Sequence, residues 1–179
     1  MLMEKKFEPD VSDELLDLVD SQDQVVGTMM RSEAFSQGKN NYRAVHAIIT
    51  NAEGKLLIPR RSYQKKTRPG ALQCVGGCVR SGESYDAALI REIYEEITLD
   101  LNIHPFQFLG KLTPEADRSA GYVGIYKIEV ELNTRLIFNE DDFSDIYWLF
   151  PQQLYAKIEQ GENTVTNLPI LLNKFLPRL

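Results

Sequence analysis

Between Gly77 and Leu99 the chain reads as a glycine loop running into a helix that carries Glu92, Glu95 and Glu96. No other stretch limits the fold as tightly. Ser84 is placed to cap the helix, and Asp86 falls in the first turn, where the helix dipole favours negative charge. Ala87, Ile90, Ile93 or Tyr94, and Ile97 recur at three- and four-residue steps, which predicts one stripe against a core. The three glutamates are related as i, i+3 and i+4 on a different side, with Cβ atoms roughly 5–6 Å apart. Ionised acids so close together repel, and a helix gains nothing from that alone. A hard divalent cation with oxygen ligands relieves the repulsion, so the pattern points to a metal site; the plainer alternative is a solvated acidic face.

A chain of 179 residues suits one domain with a proper core. Its net charge of −6 argues against broad binding to nucleic acid or anionic membranes, while leaving room for a local basic site. The first ten residues lack the apolar core of a signal peptide, and no apolar run approaches the ~20 residues of a membrane span. The expected home is the cytoplasm. Cys74 and Cys78 are the only cysteines. On an extended segment they share a face about 13 Å apart at ~3.3 Å per residue, too far for a disulfide. No further thiol or nearby histidine completes a zinc set, so both read as small buried residues. His46, alone in an apolar strand, and Trp148 read as core, although an aromatic beside a site can also stack on a base.

Leu15–Val19 and Gln24–Met29 flank a polar turn and predict a hairpin; Arg31–Gln37 predicts a short helix ended by Gly38. Arg43–Thr50 and Lys55–Arg60 flank Asn51 to Gly54, a second hairpin signal. Ile103–Leu112, Tyr122–Leu132 and Ile146–Phe150 are strand-like. Pro151–Gln160, with proline at its first position, and Thr164–Phe175 predict helices. Strands with a few inserted helices imply an α+β domain with a mixed sheet between helices.

The region from Gly77 resembles the Nudix hydrolase family. Gly77, Glu83, Arg91, Glu92, Ile93, Glu95, Glu96 and Leu99 stand where that family's signature requires them. Six of these are specific Gly, Glu or Arg identities, and at about 6–7% usage each the chance of such a match is on the order of 10⁻⁵. Thr98 replaces the signature's final glycine, and a β-branched residue is poor in the left-handed conformation that glycine supplies, so a different helix exit is expected. The resemblance implies a single α/β/α sandwich domain over residues 1–179. Within it fall an N-terminal hairpin at about 12–30, the signature at 77–99 and C-terminal helices at about 151–177.

Outside the signature the chain is most similar to the branch containing the isopentenyl-diphosphate isomerases, through Tyr42-Arg43-Ala44, Arg60-Arg61-Ser62, Pro69-Gly70 and the stretch from Asn139 to Trp148. The isomerases' catalytic cysteine is matched by Gly76, and two of their histidines by Tyr42 and Cys78; Ala120–Tyr126 offers no acid for their Glu-x-Glu pair. Those losses remove proton donors, acceptors and metal ligands. The hydrolytic acids are complete.

The resemblance therefore implies hydrolysis of a nucleoside diphosphate linked to another moiety, or of a similar small diphosphate, with Mg²⁺ and Mn²⁺ as an alternative. Glu92, Glu95 and Glu96, with a carbonyl of Gly76 or Gly77, would hold the ion, Glu92 serving as ligand or as base. Arg91 and Glu83 would pair to fix the loop against the helix. Glu140, in the acidic loop before Trp148, is a candidate extra base or a solvated loop acid. Arg60, Arg61, Lys65, Lys66 and Arg68 crowd the approach to the glycine loop. Arg60, Arg61 and Lys66, with Arg43, are candidate phosphate-binding residues; an exposed basic loop is the alternative. The alternatives to a hydrolase are an isomerase-like enzyme and a non-catalytic nucleotide-binding module. The N-terminal hairpin is free to serve packing or homodimerisation.

Overall fold

Cβ alternation along Arg43–Asn51 (β3) settles the architecture, because both faces of this strand are apolar. In the computed structural model, which describes residues 13–176, Val45, Ala47 and Ile49 pack on one side with a long helix, Tyr85–Ile97 (α2). Ala44 and Ile48 pack on the other with Leu154 of Pro151–Glu159 (α4) and Leu168, Leu171 and Leu172 of Asn167–Phe175 (α5). The result is a sheet between helical layers. Residues 1–12, and with them the outer limits 12 and 177 set for the hairpin and the last helices, lie outside the described residues.

The sheet has five strands in the order β5-β6-β3-β4-β7, formed by Phe106–Leu112 (β5), Tyr122–Val130 (β6), β3, Leu56–Arg61 (β4) and Phe143–Leu149 (β7). It is mixed: β3 runs parallel to β6, and the β5–β6 and β4–β7 pairs are antiparallel. β5 starts later than expected, since Ile103 lies in a turn, and β7 starts earlier, at Phe143. A short helix at Pro114–Asp117 (α3), capped by Thr113, was not expected. Trp148 packs against the α2-side core.

β3 and β4 pair directly only at Thr50 and Leu56. Beyond that the segment 72–79 wedges between them. Gln73 N–H donates to Pro59 O at 3.1 Å, Ala47 N–H to Val75 O at 2.9 Å and Val45 N–H to Gly77 O at 2.9 Å. The wedge brings the glycine turn close to the end of α2. It also separates the cysteines: Cys74 joins the α4–α5 core and Cys78 a small cluster with Leu16 and Tyr42. Both are buried, free thiols.

An antiparallel hairpin, Leu15–Val19 (β1) and Val25–Met30 (β2), lies along the outside of this turn and leads into Arg31–Ser36 (α1). It is anchored by Ser81 N–H to Leu15 O at 2.8 Å and by Gly82 N–H to Asp17 Oδ2 at 3.0 Å. Its turn is held by Asp23, which accepts from Arg43 Nε, Lys111 Nζ and Tyr85 OH.

Ser84 caps α2, accepting from Ala87 N–H at 3.2 Å. The inward stripe keeps the expected Ile93 and Ile97 but takes Ala88 and Leu89 in place of Ala87 and Ile90. Leu89, Ile93 and Ile97 are fully buried, at roughly 1.5–3 kcal/mol each, whereas Ala87 is exposed and Ile90 and Tyr94 are 36% and 45% exposed. Glu92 and Glu96 come to the margin of the core. The helix exit, by contrast, is the ordinary left-handed one. Thr98 adopts φ 55°, and its Oγ1 donates to Ile137 O at 3.2 Å. Holding a β-branched residue there costs about 1–2 kcal/mol. Thr98→Gly is therefore expected to raise stability by about 0.5–1 kcal/mol net of the lost hydrogen bond and glycine's greater unfolded freedom, measured as a higher midpoint in urea.

Candidate active site

Two buried carboxylates face the glycine turn. Glu92 and Glu96 are each 8% exposed, one helical turn apart, at the floor of a cleft of about 1090 Å³. Glu96 Oε2 accepts from Gly76 N–H at 2.8 Å. Gly76 lies at φ 139°, and a Cβ there would stand 2.1 Å from Val45 O, so only glycine fits against β3. A Cβ on Gly77 would meet the Glu92 carboxylate at 2.6 Å. The missing side chains let the acids approach the backbone.

Arg91 orders this corner. Its Nε and Nη2 hold both oxygens of Glu83 at 2.9 and 2.8 Å, and Nη2 also donates to Cys78 O at 3.0 Å. Nη1 donates to Glu92 Oε1 at 2.6 Å and to Glu95 Oε2 at 3.2 Å. The bidentate pair locks loop to helix, and the third contact aims Glu92. Glu95 differs from its neighbours: its side chain is 48% exposed and leans toward Arg91 and Arg80.

Burial and proximity disturb the paired acids. Loss of hydration pushes Glu92 up to about 7, against the pull of Arg91. Glu96 is raised well above its ordinary value by burial, then by the charges of Glu92 and Asp142.

The cleft is also lined by bases. Arg61, Lys65 and Lys66 line the cleft, joined from the hairpin side by Arg31 and Arg80. Lys65 Nζ donates to Asp142 Oδ1. Arg61 donates to Gln73 Oε1 at 2.7 Å and to Thr67 O at 3.2 Å. No carboxylate among the described residues bonds it, and burial works against its charge even with Glu96 and Asp142 nearby.

Of the residues singled out from sequence, Glu92, Glu95, Glu96, Gly76, Gly77, Arg61 and Lys66 line one cleft, with Glu83 and Arg91 bracing it from behind. Arg43 and Arg60 are elsewhere. Arg43 is bound to Asp23 of the hairpin turn, and Arg60 to Glu162 at 3.0 Å and Gly70 O at 2.8 Å. Strand alternation explains this for Arg60, which sits next to Arg61 on β4 and so faces the other way. Glu140 is exposed and outside the cleft, while its neighbours Asp141 and Asp142 line it. Gly77 O already accepts from Val45 N–H, which leaves Gly76 as the glycine carbonyl to offer an ion. Glu14, Arg31 and Arg80 were missed; their bonds across 17 and 66 residues left no local signal. His46, expected in the core, is only half-buried and lines a side compartment.

Among the described residues no three His, Cys, Asp or Glu side chains converge as a ready metal site, and Glu95 is turned to the arginines. The donors nevertheless suit a hard divalent ion. Two buried, mutually repelling carboxylates and a backbone carbonyl supply oxygen only, and the half-exposed Glu95 would join them on leaving its arginine partners.

A family model described as the NUDIX domain matches residues 40–168. An uncharacterized Nudix hydrolase from Nostoc sp. is 42% identical over 163 residues, covering 90% of this chain and 95% of that one. A Nudix hydrolase from Deinococcus radiodurans is 36% identical over 165 residues, covering 92% and 95%. A crystal structure of the Deinococcus radiodurans protein DR0079 superposes with a TM-score of 0.83 at 35% identity, covering 90% of this chain and 98% of that one.

Proposed function

The chain belongs to the Nudix family, a family of diphosphate hydrolases, and from that premise we propose that it hydrolyses a nucleoside diphosphate linked to another moiety, or a similar small diphosphate, with Mg²⁺. The observation that carries this reading is the buried Glu92–Glu96 pair lining one cleft with Arg61, Lys65 and Lys66. Acids for an ion and bases for phosphate share one cleft. No helix among the described residues is long and apolar enough to cross a membrane.

Glu92, Glu96, Gly76 O and a rotated Glu95 would hold Mg²⁺. When bound, the ion supplies Lewis-acid polarisation of phosphoryl oxygens and offsets their charge. Arg61 is the anion receptor, since it is half-buried and among the described residues is bonded only to neutral groups. Lys65 and Lys66 add positive charge at the rim. Water adds to phosphorus as the P–O anhydride bond breaks, and the displaced phosphate carries the electron pair away. Glu92 keeps one oxygen on Arg91 Nη1 and presents the other to the cleft, the place of an ion ligand or of the group that takes the water's proton.

Nothing favours the alternatives. Gly76, Tyr42 and Cys78 stand in place of the isomerases' reactive groups, and burial pushes the Cys78 thiol up to about 12. A pure binding module has no use for two buried acids. The test is a panel of nucleotide sugars, dinucleotides, nucleoside di- and triphosphates and prenyl diphosphates with Mg²⁺, read for phosphate-containing products. Hydrolysis of at least one compound, abolished by chelator, is expected. Tight binding without turnover, or isomerisation of isopentenyl diphosphate, would defeat the proposal.

A further inference from the structure

Behind Gly76 and Gly77 the main cleft opens into a side compartment of about 200 Å³, between β3, Ala120–Gly121 and the start of α5. The two spaces share Arg31 and Arg61 at their junction. Every fully buried side-chain nitrogen or oxygen among the described residues has a hydrogen-bond partner, so atoms without one are open to solvent. Several such atoms belong to the compartment's lining. Gln73 spends its Oε1 on Arg61, and Asn167 its Oδ1 on Ala120 N–H at 3.0 Å, which leaves both amide NH₂ groups to offer. The Tyr42 hydroxyl and both His46 nitrogens make no hydrogen bond within the described residues. Gln73, Asn167 and Tyr42 are at most 9% exposed, so these groups are fixed in place. His46 reaches the space because it shares a face of β3 with Ala44 and Ile48.

We propose that this compartment receives a hydroxyl-bearing ring of the substrate, a pentose or hexose, joined to the diphosphate in the main cleft and hydrogen-bonded by Tyr42, His46, Gln73 and Asn167. The inference rests on the diphosphate-hydrolase reading of the main cleft. The volume equals about six or seven waters at ~30 Å³ each, enough for one such ring. A prenyl chain of that size would strip water from the polar groups and return no bonds, leaving each of them unpaired. A hydroxylated ring satisfies donors and acceptors together, and its attached phosphate would extend toward Arg31 and Arg61 at the junction.

The chain has two histidines, and His104 lies outside both spaces, so His46 is a ready reporter. Full-length, metal-free protein is titrated with ribose 5-phosphate, glucose 1-phosphate, isopentenyl phosphate and inorganic phosphate while the histidine ring signals are followed by NMR. A sugar phosphate is expected to shift His46 well beyond the shift inorganic phosphate produces at saturation, leaving His104 in place. A response to ribose 5-phosphate assigns the ring to a nucleoside, and one to glucose 1-phosphate to a pendant sugar. Tyr42→Phe should raise KM for a sugar-bearing diphosphate about fivefold while kcat changes little. An equal or larger His46 shift with isopentenyl phosphate overturns the inference, as does no shift with either sugar phosphate beyond that of inorganic phosphate. If the compound panel still shows hydrolysis in those cases, the hydrolase reading stands and only the ring subsite falls; if nothing is hydrolysed, both fall.

Discussion

Glu96→Gln is expected to fold as the parent does and to lose roughly a thousandfold of metal-dependent turnover. The amide keeps an oxygen to accept from Gly76 N–H, so the 2.8 Å bond that ties helix to glycine turn survives. What disappears is a buried negative charge, the one feature an ion needs and an uncoordinated fold does not. The same substitution should raise the stability of metal-stripped protein at neutral pH, because it ends the repulsion between two buried carboxylates. The sign with pH follows from Glu96, which burial and the charges of Glu92 and Asp142 raise well above its ordinary value, while Glu92, pushed up to about 7, titrates in parent and variant alike. A group raised in the folded state contributes stability fully below its unfolded value, and that contribution is lost as pH rises through its folded value. Thermal melts in chelator at pH 5 and pH 8 should therefore show a larger fall for the parent than for Glu96→Gln. Retained turnover, or a variant that melts earlier than the parent at pH 8, would show that Glu96 is a scaffold residue.

Gly77→Ala should separate geometry from charge. Every acid remains, and the backbone at Gly77 does not lie in the left-handed region. The added methyl group meets only the end of the flexible Glu92 side chain, at 2.6 Å. The carboxylate must swing away from the turn and strain its bond to Arg91. A displacement of about 1 Å at such a site costs on the order of a hundredfold in kcat, so a drop of that size is expected with little change in melting temperature. Gly76→Ala is the contrast, since there the clash is with Val45 O at 2.1 Å and the backbone lies at φ 139°. That variant should fail in folding before it fails in catalysis. Equal activity in Gly77→Ala and the parent would mean that the position of Glu92 is unimportant.

Much of the molecule was legible from local pattern. Apolar residues on both faces of β3, the capped helix after a glycine loop and the proline-started α4 each carry their cause within a few residues. The errors arise where the deciding contact is distant. The helical period of α2 predicts the buried Ile93 and Ile97, but in its first turns Ala88 and Leu89, rather than Ala87 and Ile90, join the cluster that holds Val45 and Tyr126. The fold likewise turned three apparently equivalent glutamates into two buried ones and an exposed one. Arg60 and Arg61 look alike in the chain, yet strand alternation sends one to Glu162 and the other to the cleft. Thr98 in a glycine's place suggested a new helix exit, but packing and the bond to Ile137 hold the usual one.

By itself the sequence determined the type of chemistry: oxygen donors spaced along one helix, a glycine turn before it and basic residues nearby follow from residue identity and helical geometry alone. The tertiary structure decided which of those groups meet. The wedge between β3 and β4, the hairpin laid beside it and the side compartment containing His46 depend on contacts between residues far apart in the chain. Such contacts form only when burial of the whole core outweighs the entropy of closing those loops, and no short stretch of sequence records that balance.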